Sequence, residues 1–320
     1  MLTRLPAAVG GGLIRDLPDA VDPQRSARDH YLAWMRRRSN RSIYTPEKNV
    51  KPQDHGNGFA VEFIGAWDTV AAYGTPVAEL TRGIDEWIWP LSMPDYKLHE
   101  GVRIARHAVA LDDERDTFHP LLWDEIRSKS PERIHQVWFA GVHSDVGGGY
   151  PDDSASYKPL QWMMDQAATA GLIFVPHAVN EIRRTAMSTG PMHDSRRGLA
   201  GYYRYQPRKI GAHIDPPDPT TRLMQDPKQP AARLRTVNIH ESVLQRIATA
   251  NDGYAPIVLT GNYAIVADDG TVRPVSQPQR EADQERVWDW VWHKRVCYFA
   301  SLFVSLCLAL FPVWHWVSHP

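Results

Sequence analysis

A histidine and an aspartate two positions apart, His143 and Asp145, open the run HSDVGGGYP at 143–151. A second aspartate, Asp68, directly follows the apolar run FAVEFIGAW at 59–67. These residue types can carry acid–base chemistry. A neutral imidazole takes the proton of a hydroxyl nucleophile, and a carboxylate fixes the tautomer of the ring and stabilises the imidazolium that forms. The three glycines after the histidine let the backbone turn sharply, so that the ring can swing over a crevice. The plain alternative for His143 and Asp145 is a surface turn with its polar groups satisfied. Other candidates compete. His193 lies in a loop beside Asp194 and is a rival for the base, whereas His107 sits in the apolar run RHAVAL and reads as a core histidine. A metal site would use His143, Asp145, Asp152 and Asp153, but their spacing matches no calcium-loop signature. DDERD at 112–116 reads as a solvated helix end. The arginines of RRGLAGYYRYQPRK could touch phosphate, though a solvated loop held by tyrosine packing is the simpler account.

Elements must hold these residues in place. Residues 59–70 read as a strand turning at Asp68, and 133–146 as a second strand with His143 just past its end. Residues 160–172 form an amphipathic helix, with Leu160, Met164, Ala167 and Ala168 on one face. A helix pair over 10–40, a loop over 45–58 and a helix at VAELTRGIDEWIW precede or separate them. Short β-like runs fall within 234–275. Alternating strands and helices imply an α/β fold with a mostly parallel sheet and flanking helices. In such sheets the carboxyl ends of the strands form the ligand crevice, and both Asp68 and His143 follow strand ends. An acid that precedes a histidine is also the order of the last two triad members in α/β-hydrolases.

At four places the chain resembles a known family. GAWDTV at 65–70, RHAVALDDERDTFHPLLW at 106–123, QVWFAGVHSDVGGGYP at 136–151 and LQWMMDQAATAGLIF at 160–174 are similar to the bacterial α/β-hydrolase domain of the type VI secretion lipase effectors of the first family. HDSRRGLAGYYRYQPRKI and IHESVLQRI resemble segments of membrane-anchored relatives. The resemblance implies a phospholipase-like serine hydrolase. It makes Asp68 and His143 the catalytic acid and base, with Asp68 orienting His143. The nucleophile of that family lies in a Gly-x-Ser-x-Gly elbow before the acid strand, and this sequence contains no such elbow. Ser144 and Ser188 each have a glycine close by but lack the flanking strand–turn–helix. The expectation is therefore an N-terminally truncated hydrolase whose serine and oxyanion donors come from a missing N-terminal half or from a partner chain. The alternative is a non-catalytic membrane-tethered remnant, or a module that binds a partner.

Composition bounds the rest. The 320 residues carry 36 Lys+Arg against 37 Asp+Glu, scattered along the chain, so no nucleic-acid partner is expected. No cofactor or metal is called for. The two cysteines, Cys297 and Cys307, lie in one apolar run and form no disulfide framework or zinc spacing. That run, 296–314, holds no Asp, Glu, Lys, Arg or His, which is the pattern of a membrane span. Lys294 and Arg295 stand at its start. Trp288, Trp290 and Trp292 precede it and Trp314 and Trp316 close it, as an aromatic belt would. The chain thus divides into a partial hydrolase domain (1–235), a short β-rich extension (236–275), a connector (276–295) and a transmembrane helix (296–317). Basic residues flank only the N-terminal side, which places the domain in the cytoplasm on a single-span bacterial inner-membrane protein. Membrane lipid is then the anchor and a candidate substrate.

Overall fold

The computed structural model describes residues 61–70, 96–128, 130–214, 232–249, 253–277 and 279–318. The helices expected over 10–40 and at VAELTRGIDEWIW, and the loop over 45–58, lie outside the described residues.

Six strands form one sheet in sequence order: β1 (Val61–Trp67), β2 (Val102–Ala110), β3 (Ile134–Phe139), β4 (Asn238–His240), β5 (Asn262–Val266) and β6 (Val272–Ser276). β1 to β5 pair in parallel, and β6 closes antiparallel on β5. The fold is α/β with a mostly parallel sheet, as the alternation of elements implies. β2 was not foreseen: its RIARHAVA run mixes charge and apolar residues, and only its second half is wholly buried. β3 is buried along both faces, as strands covered by helices on each side must be. On one face Val137 and Phe139 pack with Trp162 and Met163 of α2 (Tyr157–Thr169). On the other, Trp138 packs with Ile239, Leu259, Tyr263 and Val243 of α4 (Glu241–Thr249). The sheet therefore crosses the expected boundary at 235/236, because β4, β5 and β6 all pair into it.

Two shorter helices complete the described domain: α1 (His143–Gly147) and α3 (Pro176–Thr185). Beyond the sheet one long helix, α5 (Gln279–Ser318), is continuous. The segment expected as a connector over 276–295 is helical from Gln279 onward. Within α5, Asp289–Pro312 is long and apolar enough to cross a membrane, and only 6% of its most apolar stretch is buried within the protein. A core helix would show the reverse. Among the described residues β1 has a single strand neighbour, β2, so it forms one edge of the sheet.

Candidate active site

Parallel pairing puts the carboxyl ends of β1, β2 and β3 on one side of the sheet, and each carries an acidic or imidazole residue. Asp68 follows β1 in a left-handed backbone conformation, φ 37°, which a short polar side chain tolerates better than most. Its own N–H extends the ladder to the Ala108 carbonyl at 2.7 Å. The next residue, Thr69, donates its N–H to Nε2 of the buried His107 at 3.1 Å. Burial, helped by the Arg208 charge, lowers the His107 pKa to about 4 against the opposing pull of the Asp68 charge and the Gln136 hydrogen bond, so it is a neutral acceptor that holds the Asp68 turn.

His143 begins α1, just past β3. Its Nδ1 lies 2.7 Å from Asp68 Oδ2. The histidine side chain is 31% exposed and the aspartate wholly buried. His143 Nε2 makes no hydrogen bond among the described residues. Phe118 packs its edge against the ring, centroids 5.5 Å apart, and Asp113 accepts the His143 backbone N–H at 3.2 Å. Asp113 is itself fully buried and held by Arg115 at 2.7 Å. DDERD is therefore not a solvated helix end. It is the loop after β2, turned inward so that Asp112 and Asp113 brace the turn that carries His143. Asp112 receives the Gly141 N–H at 2.7 Å and the Tyr254 hydroxyl at 2.8 Å.

Asp68 has a third partner that the sequence did not reveal. Arg208, 1% exposed, faces the carboxylate with both terminal nitrogens: Nη2 donates to Oδ2 at 2.7 Å and Nη1 to Oδ1. The same guanidinium donates to the carbonyls of Ala110 and Phe118, the latter at 2.8 Å, while the Ala110 N–H donates to Asp68 Oδ1 at 2.8 Å. Burial alone would raise the Asp68 pKa. The Arg208 charge and hydrogen bonds, with those from His143 and Ala110, outweigh it and hold the carboxyl well below the usual range. The arginine-rich segment is thus not simply a solvated loop, since its last arginine is the buried counterion of the site. Nothing in the local pattern distinguishes Arg208 from Arg204 or Arg197; only the fold brings it across 140 positions to Asp68.

The other candidates fall elsewhere. Asp145 and His193 form a second pair, Oδ1 to Nδ1 2.6 Å, with the His193 ring stacked on Tyr150 at 3.8 Å. Asp145 also accepts the Val142 and His193 backbone N–H groups at 3.0 and 3.2 Å. His193 and Asp145 therefore tie the 190s loop to the histidine turn. The four residues weighed for metal are not brought together: His143 goes to Asp68, Asp145 to His193, and Asp152 to the Ser154 hydroxyl at 3.1 Å. Ser144 lies within α1, and Ser188 gives its carbonyl to Arg246 at 3.2 Å. Neither stands on a strand–turn–helix.

A buried carboxylate and an imidazole held through Nδ1, with Nε2 left without a hydrogen bond among the described residues, thus meet at the carboxyl edge of a parallel sheet, an arrangement that can carry acid–base chemistry. Residues 12–166 match the profile of the type VI secretion system family described as phospholipase effector Tle1-like, catalytic domain. That segment includes Asp68 and His143, and over it the chain is similar to the family. No curated protein and no solved structure matches the chain.

Proposed function

We propose that the chain supplies the acid–base half of a phospholipase-like serine hydrolase acting on lipid esters. Asp68 orients His143, and His143 is the general base. The observation that carries the reading is the 2.7 Å contact between Asp68 and His143 Nδ1, with Nε2 left to face a substrate. In the reaction a serine Oγ attacks the acyl carbonyl carbon and its proton passes to His143 Nε2. The tetrahedral intermediate collapses, the ester C–O bond breaks, and the leaving alkoxide takes that proton back. Water repeats the cycle on the acyl-serine. The serine comes from a strand–turn–helix segment that this sequence does not carry, contributed by further chain or by a partner. The edge of β1, next to Asp68, is where such a strand would add. The apolar helix α5 anchors the domain in the bacterial inner membrane, with the catalytic edge on the cytoplasmic side and lipid as both anchor and substrate.

The test joins the chain to the serine-bearing segment of a family member and measures fatty-acid release from phospholipid vesicles. D68N should lower turnover by roughly 10³–10⁴-fold and H143A by at least as much. Turnover that survives H143A would overturn the assignment. A second reading, a membrane-tethered module that binds a partner through the β1 edge without catalysis, is favoured by the absence of an elbow, and inactivity of the joined protein would select it.

A further inference from the structure

The long helix α5 does not stand apart from the domain. Tyr298 donates its hydroxyl to the Tyr202 carbonyl at 2.8 Å, and Arg295 Nη2 donates to Gln206 Oε1 at 2.9 Å. Between the helix and the 196–203 segment runs a groove of about 420 Å³, lined by Arg196, Trp290, His293, Lys294, Tyr298 and Ser301 among others. No carboxylate lines it among the described residues. Two of its walls are cationic. Arg196 is held by the Gly201 and Tyr203 carbonyls at 3.1 and 3.4 Å and by the faces of Tyr205 and Tyr298 at 4.9 and 5.8 Å. Its Nε is buried with no hydrogen-bond partner. Lys294 lies 5.1 Å from the Tyr205 ring centroid, and its ammonium makes no hydrogen bond among the described residues. Acids stand near these cations: Asp194 Oδ1 accepts the Arg196 backbone N–H at 2.8 Å, and Glu114 lies beneath Tyr205, whose hydroxyl is 3.4 Å away. Asp194 and Asp116 add negative charge, and Arg204 adds positive charge over Phe299 at 5.8 Å.

We infer that this groove binds the phosphate of an anionic phospholipid headgroup, distinct from the substrate at His143. The inference rests on the reading of α5 as a membrane span. In that reading the groove sits at the basic, tryptophan-bearing end of the helix, where headgroups lie, and Trp290 is 72% exposed there. A guanidinium already fixed by two carbonyls and two rings loses little freedom on binding. The exposed apolar side chains further along α5, Phe299 and Phe303, continue from the groove into the span, where acyl chains run.

The test is native mass spectrometry of the full chain released from mixed micelles containing phosphatidylcholine and phosphatidylglycerol. One phosphatidylglycerol should be retained in preference to phosphatidylcholine. K294Q should weaken that retention by roughly fivefold, the effect of one surface cation on an anionic lipid. R196K should weaken it less than R196Q, and R273Q, on the exposed β6, should leave it unchanged. Equal retention of the two lipids, or no effect of K294Q, would overturn the inference. So would displacement of the lipid by millimolar inorganic phosphate, which would mark a site for soluble phosphate. Carbonate extraction of native membranes separates the two levels: release of the chain would overturn both the span and the groove, whereas a retained chain without lipid preference would overturn the groove alone.

Discussion

Replacing Arg208 with methionine keeps most of the side-chain stem and removes the charge. The consequences can be worked from the site. Asp68 is fully buried, and in R208M it keeps only the His143 ring and the Ala110 N–H as hydrogen-bond partners. Leaving one member of a buried ion pair uncompensated costs about 3–5 kcal/mol. The carbonyls of Ala110 and Phe118 lose a donor as well, which favours the upper half of that range. For a domain of this size, 4–5 kcal/mol corresponds to a fall in Tm of roughly 10–15 °C. Thermal unfolding of the full chain in detergent, followed by near-ultraviolet circular dichroism, measures it. D68N in the R208M background should be less destabilised than the sum of the two single changes by about 1–3 kcal/mol, because it removes the orphaned charge. The acid limb should move too. A carboxyl whose folded pKa is depressed contributes stability above its unfolded value of about 3.9, and that contribution is lost as pH falls through the folded value. Without Arg208, burial raises the Asp68 carboxyl again, so R208M, less stable at neutral pH, should lose less further stability than the wild type as pH falls below about 3.9. A loss below about 1 kcal/mol for R208M, or strict additivity with D68N, would refute the idea that Arg208 is the counterion that keeps Asp68 ionised.

Further outcomes are expected. Asp112 has its pKa pushed up to about 7 by burial, against the opposing pull of Gly141, Tyr254 and Arg208. A group raised in the folded state contributes stability below its unfolded value that is lost as pH rises through the folded one, so stability should decline between about pH 4 and 7. D112N should flatten that decline in pH-dependent unfolding, leaving the parts due to Glu114 and Glu125, whose carboxyls burial also raises. G141A should destabilise by about 1–3 kcal/mol, since the residue sits at φ 113° and an added Cβ would lie 2.5 Å from the Asp145 side chain. It should also loosen the His193 loop, seen as faster amide exchange over 190–198. The chain alone should show no turnover of short acyl esters above background, and burst-phase acylation would reveal an overlooked nucleophile.

The parts legible in the sequence were those with local signatures. Strand ends bearing Asp68 and His143, the amphipathic run that became α2, and the uncharged run within α5 each follow from residue order and periodicity. β2 escaped because arginines interrupt its apolar pattern, yet Arg106 is satisfied by Gln166 at 2.6 Å and by the Arg133 carbonyl at 3.1 Å. Arg208, Asp112 and Asp113 escaped for a different reason. Charged residues in a loop read as solvated unless the fold is known to bury them, and their partners are supplied by other strand ends. His193, the rival base candidate, also holds a carboxylate through Nδ1, at 2.6 Å, but that carboxylate is Asp145 and the pair ties down the 190s loop.

The claim at the centre is that Asp68 fixes the His143 ring with the proton on Nδ1 and Nε2 ready to accept. Nitrogen-15 NMR of the histidine-labelled chain, at a pH where the ring is neutral, measures this directly. The expected spectrum has His143 in the Nδ1–H tautomer, with a downfield proton that disappears in D68N. An Nε2–H tautomer, or a His143 signal indifferent to D68N, would contradict it.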